Sequence, residues 1–165
     1  MEGNYQYKID KCIIIVAPHT SWWDFPLGLI VRGAMGKDIK YLGKHTLFKP
    51  PLGWIFKSLG GIPVNRSKST NMVDQVVDHF NKRDEFQVVL APEGTRKKVD
   101  KFKTGYYFIA KAAKVPIIMI QFDFENKIIR IRDPFWPTEN FESDKKIIWN
   151  YFKGVKGKNP ALGVS

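Results

Sequence analysis

Six short apolar runs punctuate this chain, and most of the segments between them place apolar residues every three to four positions, so strands alternate with helices. Cys12 to Ala17 is β-branched, short and closed by Pro18, which predicts a buried strand. From Ser21 to Met35 the positions Leu27, Ile30, Val31 and Ala34 fall at helical spacing. Ser21 and Asp24 sit as a capping box at its start, and Gly36 ends it. Ile39 to Leu42 predicts a second strand, and Lys44 to Leu59 a broken or interfacial helix interrupted by Pro50 and Pro51. Ile62-Pro63-Val64 follows Gly60-Gly61 as a third strand, its proline placing it at an edge or strand end. A helix capped by Ser69 or Thr70 runs to about Lys82 with Met72, Val73, Val76, Val77 and Phe80 as its stripe. Phe86 to Ala91 is the fourth strand, Gly105 to Lys114 a helix, and Pro116 to Phe122 and Lys127 to Arg132 a strand pair hairpinned through Glu125-Asn126.

The alternation predicts an α/β domain with a mainly parallel or mixed central sheet flanked by helices. At 165 residues the chain is read as one domain, 1–165, with no repeat or linker. Its glycine- and lysine-rich end, from Lys153 to Ser165, is expected to be a loose tail.

Composition narrows the class of partner. A single cysteine, Cys12, excludes an intrachain disulfide and sits in an apolar run as a core residue, so the chain reads as intracellular. No run approaches the eighteen or more apolar residues of a membrane span, and the start lacks the basic and apolar parts of a signal peptide. With 27 Lys and Arg against 16 Asp and Glu, the formal charge of +11 favours an anionic partner: a phospholipid surface, nucleic acid or an acidic carrier protein. Charge alone does not choose among them. No nucleic-acid signature accompanies it, and His19, His45, His79 and Cys12 show no metal-ligand spacing. The stretch His45 to Lys57 interleaves large apolar residues with lysines, as an interfacial element does, although Leu52, Ile55 and Leu59 would equally serve as packing against the sheet.

The candidate chemistry begins at Pro18-His19-Thr20-Ser21-Trp22-Trp23-Asp24. Histidine takes a proton near neutral pH, and a carboxylate on its other ring nitrogen fixes the tautomer and stabilises the imidazolium. His19 and Asp24 are therefore the candidate catalytic pair, base and orienting acid. Five helical steps of about 100° would set the two about 140° apart, so the pairing requires His19 in the loop or at the helix entrance. The same Asp24 also has a purely structural reading, as the acidic member of the capping box. Trp22 and Trp23 read as core or staple residues, with at least one expected in the core, or as the lining of an apolar groove.

About seventy residues further on, Pro92-Glu93-Gly94-Thr95-Arg96 follows the fourth strand, and Gly61-Ile62-Pro63-Val64-Asn65-Arg66 lies between the two. In this order and spacing, the HxxxxD and EGTR motifs resemble those of the glycerolipid acyltransferases related to 1-acylglycerol-3-phosphate acyltransferase, and Phe102-Lys103-Thr104-Gly105 resembles the approach to that family's fourth block. The resemblance covers about Cys12 to Gln121. Two positions depart from it: Pro18 stands where asparagine often precedes the histidine, and Met119 where a second proline is usual.

What the resemblance implies is transfer of a fatty acyl group from acyl-CoA or acyl-ACP to the free hydroxyl of a lysolipid, most simply 1-acylglycerol 3-phosphate giving phosphatidate. His19 would deprotonate the hydroxyl, Asp24 would orient His19, and no acyl-enzyme, metal or cofactor would be needed beyond the thioester co-substrate. Substrate binding would fall to Arg66, Glu93, Gly94, Thr95, Arg96 and Lys103, since a guanidinium donates two bonds to phosphate oxygens, glycine permits close approach and a carboxylate accepts from a hydroxyl. Each arginine taken singly also reads as a solvated residue at a strand end. The implied partners are the lysolipid, the acyl donor and an anionic membrane surface, with no nucleic acid, and the implied location is cytoplasmic at the inner face of a membrane. Rival readings are an acyltransferase for another lysolipid, such as a lyso-aminolipid, and a non-catalytic basic module binding lipid or nucleic acid.

Overall fold

Alternate residues of one seven-residue strand divide the interior in two. This strand, β1 (Lys11–Ala17), sends Ile13, Ile15 and Ala17 into one apolar cluster and Cys12 and Ile14 into another, as the two-residue period of a strand buried on both faces requires. The computed structural model describes residues 1–3, 9–64 and 69–164. After β1 come α1 (Asp24–Met35), β2 (Ile39–Lys44), a 3-10 turn (His45–Phe48), α2 (Gly53–Ser58), β3 (Gly61–Val64) and α3 (Ser69–Asn81). The chain continues through β4 (Phe86–Leu90), α4 (Gly105–Ala113), β5 (Ile117–Asp123), β6 (Ile128–Ile131), α5 (Phe141–Phe152) and a last 3-10 turn (Pro160–Leu162).

The six strands lie in the order β3-β2-β4-β1-β5-β6. All neighbours are parallel except the β5-β6 hairpin. This is the expected α/β class, and β3, which carries Pro63, forms one edge as the missing ladder donor of a proline demands. Helix α1 packs Val31 and Leu27 on the cluster holding Cys12, Ile14, Ile118, Ile120 and Phe122. Helices α3, α4 and α5 cover the other face with Val76, Phe80, Tyr107, Ile109, Ile148 and Phe152. One face of the sheet thus has three helices over it and the other has one.

Two findings differ from the sequence reading. Helix α5 is absent from it, because the buried side of α5 includes a carboxylate, Asp144, at 2 % exposure. That position breaks the apolar stripe, and its burial is offset by hydrogen bonds from the Tyr107 hydroxyl at 2.8 Å, the Thr138 N–H at 2.6 Å and the Thr138 hydroxyl at 3.0 Å. Burial and the bond to the Asp144 carboxylate push the Tyr107 hydroxyl up to about 12. The second difference is the expected loose tail, which is packed through residue 164: Val164 is 3 % exposed and belongs to the main core, and the Phe124 N–H donates to the Lys156 carbonyl at 2.9 Å. The larger apolar residues of this stretch, Val155, Leu162 and Val164, are set among glycines, lysines and Pro160 and form no continuous apolar stripe. The cap assigned to Ser69 or Thr70 adjoins residues outside the described set.

Phe152 is fully buried against Phe102 at the end of α5. Phe152→Ala is expected to lower stability by about 3–5 kcal/mol in urea unfolding; a loss under about 1 kcal/mol would mean that α5 is not part of the core.

Candidate active site

The loops leaving β1 and β4 meet because these strands are parallel neighbours in register, with Ile15 opposite Leu90, so both chains exit at the same end of the sheet. Ligand sites of open parallel sheets form at these carboxyl ends. The His19 backbone N–H donates to Glu93 Oε1 at 2.8 Å, tying the first loop to the second across 74 residues of sequence.

Asp24 opens α1 with its carboxylate turned back along the loop. Its Oδ2 accepts from the Thr20 N–H at 2.9 Å and from the Ser21 N–H at 2.9 Å, and lies 3.0 Å from His19 Nδ1. An oxygen that already accepts two backbone donors acts on the ring as an acceptor, so Nδ1 carries the proton and Nε2, on the other side of the imidazole, is left bare. The Asp24 side chain is 3 % exposed and that of His19 29 %, which places the acid behind the base and the base at the solvent side. The capping and catalytic readings of Asp24 therefore coexist: the carboxylate receives the Ser21 N–H as a capping box does and holds His19 with the same oxygen. His19 lies in the loop ahead of the helix, so the 140° offset does not arise.

Glu93 is buried at 4 % exposure beneath the loop. Burial raises its carboxyl above the ordinary value of 4.5, opposed by the hydrogen bond from the His19 N–H, and its Oε2 has no hydrogen-bond partner among the described residues. Gly94 follows with φ +65, and a Cβ there would lie 2.8 Å from Lys103 Cδ, so glycine meets both a left-handed turn and a side chain packed across it. The Lys103 backbone N–H closes the turn on the Pro92 carbonyl at 2.8 Å.

His19, Asp24, Gly94, Thr95, Arg96 and Lys103 line one cavity of about 950 Å³, with Glu93 underneath it. Arg66 lies outside the described residues. The cavity runs on between the sheet and α1, past Val16, Ile14 and Ile120 on one wall and Leu29, Val31 and Met35 on the other, on the face covered by a single helix. Its volume and largely apolar lining suit a long hydrocarbon chain. The sequence reading missed these far walls, since their residues register only as core positions. It also placed at least one of Trp22 and Trp23 in the core, whereas they stack on each other 4.4 Å apart at 59 % and 51 % exposure; Trp22 stands at the cavity wall. Leu52 and Trp54 are likewise exposed, at 56 % and 70 %, so packing against the sheet is not the role of Leu52. Among the described residues no group of His, Cys, Asp and Glu is placed to hold a metal.

A histidine backed by a carboxylate thus stands at the strand ends of a parallel sheet, on a largely apolar cavity that Arg96 and Lys103 also line. The chain belongs to the acyltransferase family, whose pattern matches residues 2–122. It is 29 % identical over 114 residues to the 1-acyl-sn-glycerol-3-phosphate acyltransferase of Streptococcus pneumoniae, covering 68 % of this chain and 42 % of that protein. It is 36 % identical over 83 residues to the enzyme of the same name from Escherichia coli, covering 47 % and 34 %. These matches thus span less than half the length of either relative. The fold is that of the 1-acyl-sn-glycerophosphate acyltransferase PlsC of Thermotoga maritima, with a TM-score of 0.64 at 21 % identity over 91 % of this chain and 67 % of that one.

Glu93 supplies a pH test. A carboxyl raised in the folded state binds more protons folded than unfolded between its two values, so folding loses stability as pH rises above about 4.5. Glu93→Gln removes that loss. The stability of the variant relative to the parent is expected to rise from pH 4 to pH 7 in urea titrations, and a constant difference would contradict the buried, raised carboxyl.

Proposed function

We propose that this chain is an O-acyltransferase of glycerolipid synthesis that moves a fatty acyl group from an acyl-CoA or acyl-ACP thioester to the free hydroxyl of 1-acylglycerol 3-phosphate, giving phosphatidate. The observation that carries this reading is the His19–Asp24 pair at the mouth of an apolar cavity whose wall also bears Arg96 and Lys103. Family membership and the names of the two relatives support the acceptor.

In the reaction His19 Nε2 removes the proton of the lysolipid hydroxyl as its oxygen attacks the thioester carbonyl, and Asp24 stabilises the imidazolium that results. The tetrahedral oxyanion then collapses, the carbon–sulfur bond breaks, and the imidazolium returns its proton to the leaving thiolate. No acyl-enzyme forms and no cofactor is consumed. The acceptor phosphate is bound by Arg96 and Lys103, joined by Arg66, while Gly94 and Thr95 shape the turn and Glu93 braces the His19 backbone. The cavity between α1 and the sheet takes an acyl chain.

No helix of the described residues is long and apolar enough to cross a membrane. In this reading the protein meets the inner face of an anionic membrane peripherally, through exposed Trp22, Trp23, Leu52 and Trp54 together with exposed Lys49 and Lys57. The second acceptor class, a lyso-aminolipid whose carboxylate replaces the phosphate, would use the same cations.

Purified protein given labelled acyl-CoA or acyl-ACP and a panel of lysolipids is expected to convert lysophosphatidate to phosphatidate. His19→Ala should lower kcat by about 10²–10⁴-fold, and unimpaired transfer by that variant would overturn the mechanism. Arg66→Ala and Arg96→Ala are each expected to lose activity on the phosphorylated acceptor and retain it on uncharged ones. Equal losses on both would remove the arginines from phosphate recognition.

A further inference from the structure

The loop that presents His19 is gripped from its far side by the end of the chain. Thr20, between His19 and Ser21, is 3 % exposed, and its N–H is taken by Asp24. Its remaining polar groups both meet Asn159: the Asn159 side-chain amide donates to the Thr20 carbonyl at 2.8 Å, and the Asn159 N–H donates to the Thr20 hydroxyl oxygen at 3.1 Å. Two residues earlier, Gly157 packs so closely that a Cβ would stand 2.5 Å from Thr20 Oγ1 and 3.1 Å from the Pro18 ring. The strap is fastened on both sides of this contact. Lys156 accepts from the Phe124 N–H at 2.9 Å, and buried Val164 accepts from the Gly154 N–H at 2.9 Å. The residues that touch Thr20 are therefore anchored independently of it.

We propose that Asn159 and Gly157 are positioning residues for acyl transfer, seating Thr20 so that the N–H groups of residues 20 and 21 and the imidazole converge on Asp24. The three donors come from three successive residues of a loop, and a loop left to itself samples other conformations. With the Thr20 carbonyl and hydroxyl held from one side and its N–H from the other, its peptide planes cannot rotate without breaking a buried bond. His19 then keeps its place. Displacing a base by about 1 Å costs up to about 10²-fold in rate, so a strap far from the chemistry in sequence acts on it directly.

The inference rests on the acyl-transfer reading, and two measurements keep them apart. In kinetics, Asn159→Ala and Thr20→Val are each expected to lower kcat about tenfold with the lysolipid KM within about twofold of the parent, while Thr20→Ser, which keeps the hydroxyl, retains most of the rate. In hydrogen exchange, which needs no substrate, the Thr20 and Ser21 amides of Asn159→Ala are expected to exchange about tenfold faster while those of Ile13 to Ile15 in β1 stay protected. Unchanged kcat in both variants, or faster exchange spread equally over loop and strand with Thr20→Ser no better than Thr20→Val, would reduce the strap to general stability and overturn the proposal. If the parent protein acylates no lysolipid at all, the reaction assignment fails, and exchange at Thr20 and Ser21 alone decides for or against the strap.

Discussion

A single oxygen, Asp24 Oδ2, organises the active end of this protein. It takes two backbone N–H groups from the loop and faces the imidazole, so the loop conformation, the start of α1 and the ring orientation are one event. Pulling the imidazole away would leave the carboxylate short of a donor in a buried place, where an unsatisfied polar group costs about 1–3 kcal/mol. The arrangement is therefore present before substrate arrives, which is the condition for a base that must act without first reorganising.

The two acids of the site are set in contrasting surroundings. Asp24 Oδ2 is the common acceptor of the loop's two N–H groups and of the imidazole, which suits a group that holds the ring in place. Glu93 receives the His19 N–H on Oε1 and is raised by burial, as suits a group that braces the backbone. Arg96 and Lys103 are exposed and line the cavity, and exposed Lys97, Lys98 and Lys101 belong to the same stretch after Glu93. In the proposed reading an anionic headgroup drawn there would lie beside His19 while its hydrocarbon enters the space under α1.

Much of the sheet was legible because parallel strands buried on two faces are written as near-continuous apolar runs rich in β-branched residues, as in Cys12 to Ala17 and Pro116 to Phe122. The placement of His19 before the helix was legible too, since Ser21 and Asp24 mark a helix entrance. Pairing of the loops across 74 residues was not, because it follows from strand order, which periodicity does not encode. Helix α5 was hidden by Asp144 in its buried face, and the packed tail by the lack of any repeating apolar pattern between Lys153 and Val164. The tryptophans misled because size and hydrophobicity predict burial, whereas Trp22 and Trp23 stack on each other at the surface and stay more than half exposed. Asn159 carried no signal of its own; only the folded chain brings it to Thr20.

The central claim is that the first motif's acid holds the imidazole with its Nδ1 protonated and its Nε2 bare. Nitrogen-15 NMR of labelled imidazole in the substrate-free protein, taken with the ring neutral, reads this directly. The account predicts a protonated Nδ1 and an unprotonated Nε2 for His19, with that preference lost in Asp24→Ala. A proton found on Nε2, or the same tautomer mixture in parent and variant, would contradict it.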